Sequence, residues 1–132
     1  MNERPAPEGS EAWLQRARSD LAPARAALGS TEVLREDVCF HAQQCAEKAL
    51  KALLLHRKIP YPRTHALETL IDLLKASGVE VLQEVDRSFS LTQYAVETRY
   101  PGDWEPITVE ETNSSLEMSA KVLSWVEEQL GQ

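Results

Sequence analysis

The chain has 132 residues, 42% of them apolar and 27% charged, with a net charge of -7 at neutral pH. That is the balance of one ordinary soluble domain with a core of its own. It excludes a membrane span, which needs about 20 contiguous apolar residues, and argues against a general nucleic-acid coat.

Residues 1–9, with two prolines and a glycine, read as a flexible N-terminal tail. They hold no apolar stretch of the kind a secretory signal carries, so the expected location is cytoplasmic. Residues 10–132 read as one helical bundle. Ser10 is a candidate cap for a first helix reaching about Leu28, and Pro23 inside it is expected to kink or split it. Gly29-Ser30 breaks the chain. Thr31 is the expected cap of a second helix, with Glu32 in its first turn and Arg57-Lys58 at its C-terminal end. Pro60-Tyr61-Pro62 requires an extended connection.

Thr64 is the expected cap of the third helix, since Ala66, Leu67, Leu70, Ile71 and Leu74 follow at helical spacing. Gly78 ends it. A fourth helix is expected over about 80–98, with Val81, Val85, Phe89, Leu91 and Val96 as apolar positions. The stretch from Arg99 to Pro106, with two prolines and a glycine, breaks the pattern. Thr108 with Glu111 three residues on is a capping-box pattern for a last helix running to about Leu130. Its buried stripe is Leu116, Ser119, Ala120, Leu123 and Val126. No strand pattern and no internal repeat occur. The fold class is therefore all-α, an antiparallel up-down bundle of four to five helices, of a size that often forms a homodimer.

Cys39 and Cys45 fall on the second helix. Six residues turn about 600°, so the two side chains leave the helix about 120° apart and cannot pair. They read as small core residues. Two cysteines with no further Cys/His pair also make a poor zinc site. Trp13 and Trp125 read as packing residues of the terminal helices.

Charge is unevenly distributed. Residues 35–65 carry Arg35, Lys48, Lys51, Arg57, Lys58 and Arg63 against Glu36, Asp37 and Glu47, a net +3 in a chain whose remainder is -10. All three histidines, His41, His56 and His65, lie there too. On a helical projection, Leu34, Val38, Ala42, Cys45, Ala46, Ala49 and Leu53 share a core stripe, widened by Leu50 and Leu54. The opposite face presents His41, Gln44, Glu47, Lys48 and Lys51, with Glu47 placed for an i,i+4 pair to Lys51. Spacing alone is met equally by a solvated face and by an anion groove.

The run Phe40-His41-Ala42-Gln43-Gln44-Cys45-Ala46-Glu47-Lys48-Ala49-Leu50-Lys51-Ala52-Leu53-Leu54 resembles the signature helix of the HEPN (higher eukaryotes and prokaryotes nucleotide-binding) domain family. Pro62-Arg63-Thr64-His65-Ala66-Leu67, Tyr94-Ala95 and Arg99-Tyr100-Pro101 follow in the family's order, so the resemblance spans about residues 10–130. It implies a helical bundle, usually dimeric, that binds a nucleotide or assists a minimal nucleotidyltransferase. Some such pairs act as toxin–antitoxin modules. It also implies a nucleotide or phosphate site built from Gln44, Lys48, Lys51, His65, Tyr94, Arg99 and Tyr100. The lysines and Arg99 would meet phosphate and His65 would follow a helix start. Gln44 would bond a base or ribose, and Tyr100 would stack. Each has a plainer alternative: solvated lysines, a helix-closing His65, an Arg99 paired with Glu97 or Asp103, a core Tyr94.

Many family members are metal-independent ribonucleases with Arg-x(4–6)-His near the last helix. No histidine follows Arg99 here. Arg35 and His41 match the spacing, but on a different helix and about 120° apart. The chain is therefore read as leaning away from catalysis. A ribonuclease toxin using His65 or His41 with Arg99, and a non-catalytic adaptor whose polar helix face is a protein interface, stand as alternatives. No GxxxxGK[ST], GxGxxG or HExxH pattern occurs, and no cofactor or metal is expected. Glu110, Glu111 and Glu117 read as solvated surface.

Overall fold

A computed structural model describes residues 8–95 and 105–131. Among these the secondary structure is entirely helical: α1 Gly9–Ala27, α2 Arg35–His56, α3 Leu67–Ala76, α4 Gln83–Asp86 continuing as a 3-10 helix Arg87–Tyr94, and α5 Val109–Gln129. No helix among the described residues is long and apolar enough to cross a membrane.

α1 buries Leu14, Ala17, Leu21 and Ala24, one residue per turn. It continues through Pro23, which does not split it. Proline removes the N–H that would bond the Ser19 carbonyl, but both residues are on the exposed side of the helix, where water can serve that oxygen. Ser10 lies within the first turn, and Glu8 occupies the cap position.

α2 begins at Arg35, four residues after the cap expected at Thr31. The Ser30 hydroxyl accepts from the Glu32 N–H at 3.2 Å, so a local turn takes the donor that a helix start would have used. Leu34 becomes the cap and is exposed, unlike the core residue expected there. At its other end α2 closes on Lys58, a non-glycine residue with φ 59°. The Lys58 N–H bonds the Leu55 carbonyl and the Ile59 N–H bonds that of Leu54. This is a Schellman closure, with Ile59 packed on the core as its apolar clasp.

α2 is the central pillar. It is buried on most sides from Ala42 to Leu54, and alanines at 42, 46, 49 and 52 let its neighbours approach closely. α1 packs antiparallel to it: Trp13 stands by Lys51 and Asp20 by His41 and Lys48. The segment from Ile59 to Ala66 then returns along α2, bringing the His65 carbonyl to Gln43. α5 lies against α2 through Thr112 at Cys39 and through Ser119, whose hydroxyl donates to the Ala42 carbonyl at 2.7 Å. Cys39 and Cys45 are buried and free. Burial pushes the Cys45 thiol up to about 12.

α3 starts at Leu67, after the expected cap; Thr64 instead accepts from the Ala66 N–H. The Leu67 N–H is satisfied across the fold by the Thr92 hydroxyl at 3.0 Å. Gly78, at φ 86°, closes α3 as expected. The fourth helix is short, and its continuation is 3-10 as far as Tyr94. The Ser88 and Ser90 hydroxyls donate to carbonyls three residues back, favouring the tighter turn. Val85 and Leu91 are buried, while Phe89 is exposed. Position 96 and the rest of the expected fourth helix lie outside the described residues. α5 is capped by Thr108, whose hydroxyl accepts from the Glu111 N–H at 3.0 Å.

Candidate functional site

The polar face of α2 is covered, and its charges are organised around two carboxylates. Glu47 is only 3% exposed. Its Oε2 accepts from Lys51 Nζ at 3.0 Å. Its Oε1 lies 2.7 Å from His65 Nδ1 and accepts from Gln43 Nε2 at 3.2 Å. Gln43 Nε2 also donates to the His65 carbonyl at 3.0 Å, and Gln44 Nε2 donates to Gln43 Oε1 at 2.7 Å. Lys51 Nζ stands 5.5 Å from the centre of the Trp13 ring, whose Nε1–H donates to the Tyr61 hydroxyl at 3.0 Å. Cation, carboxylate, amide and indole form one chain of contacts joining α1, α2 and the return segment.

Burial pushes the Glu47 carboxyl toward the neutral form. The bonds from Lys51, His65 and Gln43 act the other way, and the balance holds it below the ordinary value of 4.5. Glu47 is therefore an anion at neutral pH. A carboxylate only accepts, so His65 Nδ1 carries the proton between them. The His65 side chain is 67% exposed, which leaves Nε2 as the ring position facing outward. Arg63, two residues before it, is exposed and has no partner among the described residues.

The second carboxylate is Asp20 on α1. Its Oδ2 accepts from Lys48 Nζ at 2.6 Å and its Oδ1 lies 3.0 Å from His41 Nδ1. Arg35, the other half of the Arg-x5-His match, donates to the Ile107 carbonyl at 3.0 Å. Arg35 and His41 thus serve different contacts.

Of the residues expected to form a phosphate site, Gln44, Lys51 and His65 meet in the Glu47 cluster. Lys48 belongs to the Asp20 pair. Tyr94 is buried and its hydroxyl donates to Glu111 Oε2 at 2.5 Å; burial, then that carboxylate, raise its phenol well above the ordinary range. Arg99 and Tyr100 lie outside the described residues. Sequence reasoning missed Gln43 and Asp20, and missed Glu47 as the hub. The i,i+4 spacing of Gln43, Glu47 and Lys51 is a legible signal for part of it; the contacts from α1 and from His65 have no local signal. Among the described residues no group of three or more His, Cys, Asp or Glu is placed to hold a metal ion.

An all-helical bundle around a buried central helix, with a carboxylate presenting a histidine at its edge, defines the class. The chain belongs to the HEPN domain family, whose model matches residues 10–129. The crystal structure of TT1696 from Thermus thermophilus is similar at 33% identity and TM-score 0.73, over 90% of this chain and 96% of that one. ST0689, an archaeal HEPN homologue, matches at 28% identity and TM-score 0.71, over 93% of this chain and 98% of its own. An HEPN domain protein from Thermotoga maritima shares the fold at 20% identity and TM-score 0.70, over 91% of this chain and 98% of that one. No curated protein matches the chain.

Proposed function

We propose that this HEPN protein is a nucleotide-binding module that acts as a homodimer with a minimal nucleotidyltransferase, and that His65 is its first phosphate contact. The observation that supports the reading is the Glu47–His65 pair. A buried carboxylate fixes the ring by Nδ1 and leaves Nε2 outward on an exposed side chain. His65 meets phosphate as the imidazolium, donating from Nε2, with its charge balanced inward by Glu47. Arg63 adds a second, exposed cation. Lys51 acts indirectly, by holding Glu47, and Lys48 serves the α1–α2 contact. Arg99 and Tyr100 complete the site on the strength of the family motif.

Calorimetric titration of the purified protein with ATP and GTP tests this. Saturable binding that is lost in His65→Ala and weakened in Arg63→Ala is expected. Binding unchanged in His65→Ala refutes the site.

The same pair favours a second reading. A histidine oriented by a buried carboxylate is also the arrangement of a general acid–base. A ribonuclease toxin of a toxin–antitoxin pair would use it on RNA without a metal. RNA cleavage by the purified protein that disappears in His65→Ala supports this reading; intact RNA at high protein concentration rejects it.

A further inference from the structure

At the end of the bundle away from His65, a groove of about 720 Å³ runs between the α1–α2 loop and the first turns of α2 and α5. Four large apolar side chains line it, Leu28, Val33, Leu34 and Val109, and each is between 37% and 61% exposed. Scattered exposed apolar residues need no explanation, but four around one groove form a patch of the kind that marks an interaction site. They do not serve the core, which is filled by other residues.

The surrounding charge selects the occupant. Glu32, Glu36, Asp37 and Glu110 stand on the same loop and first turns, all at least partly exposed. First-turn acids favour their helix dipoles, which accounts for their presence but leaves their field facing the groove. The adjacent cation, Arg35, is directed to the Ile107 carbonyl. A nucleic acid or an anionic membrane would be repelled here. A second copy related by a two-fold axis would set this acidic rim against its own image. A protein segment with apolar anchors and flanking Lys or Arg meets both the floor and the rim.

We infer that this groove docks an amphipathic segment of a partner protein, apolar side chains on Leu28, Val33, Leu34 and Val109, and basic side chains on the acidic rim. The inference is independent of nucleotide binding at His65.

The test is fluorescence anisotropy of the full chain with two labelled helical peptides. Both carry leucine at every third and fourth position; one is filled with lysine and the other with glutamate. The lysine peptide should bind saturably, and Leu34→Ser or Val109→Ser should weaken it about tenfold. The glutamate peptide should bind only the double variant Glu36→Lys/Glu110→Lys. Leu34 and Val109 are exposed, so unchanged helical circular dichroism is expected of each serine variant. The inference is overturned if the lysine peptide fails to bind, if both peptides bind alike, or if the serine variants have no effect. It is equally overturned if light scattering shows a dimer that Leu34→Ser splits, because a second copy then occupies the groove.

Discussion

Nδ1 of His65 lies 2.7 Å from the buried carboxylate of Glu47, eighteen residues away on a different segment. The same carboxylate holds Lys51, so one anion sets both an exposed ring and a nearly buried ammonium. A buried ion pair is a poor contributor to net stability, yet removing one partner is costly because the other charge is left unpaired.

Glu47→Gln should therefore destabilise the bundle by about 3 kcal/mol, measured by denaturant unfolding. The double variant Glu47→Gln/Lys51→Met should recover much of that loss, since no unpaired charge remains. Equal or additive losses in the two variants would show that the pair is not coupled.

The pH dependence has a definite sign. The Glu47 carboxyl is depressed in the folded chain from 4.5. Its contribution is present above the unfolded value and is lost as pH falls through the folded one. Wild-type stability should drop steadily below pH 4.5 as the bonds from Lys51, His65 and Gln43 lose their anion. Glu47→Gln should show a flatter acid limb; the same slope in both proteins would assign the acid loss elsewhere.

Two helix ends use the same closure with different residues. Lys58 at φ 59° and Gly78 at φ 86° both take the left-handed conformation. A side chain there costs about 1–2 kcal/mol, which glycine's extra unfolded-state freedom partly offsets. Lys58→Gly should raise stability by about 0.5 kcal/mol. Gly78→Ala should lower it by about 1 kcal/mol, although nothing crowds that position. Thermal unfolding of both variants checks the opposite signs.

The Thr108 hydroxyl caps α5 locally and the Thr92 hydroxyl caps α3 from across the fold. Replacing either by alanine should cost about 1 kcal/mol. Amide exchange should separate them: Thr108→Ala should speed exchange at Glu111, and Thr92→Ala at Leu67.

Local sequence was enough to establish the all-helical class, the Gly78 and Thr108 boundaries, and the α5 stripe through Leu116, Ser119, Leu123 and Val126. These rest on periodicity and on caps within one turn, both of which are local. It also carried the family resemblance through the run from Phe40 to Leu54. What those residues touch was settled by the packed chain. A helical projection shows Glu47, Lys48 and Lys51 as a polar face, but α1 and the return segment cover it, so Asp20 and His65 become its partners. Packing also set the start of α3, because Thr92 supplies the missing acceptor. It exposed Leu34, which helical periodicity assigned to the core, because α2 begins only one residue later at the open end of the bundle. Periodicity records which residues share a face; only packing of the whole chain decides what that face meets.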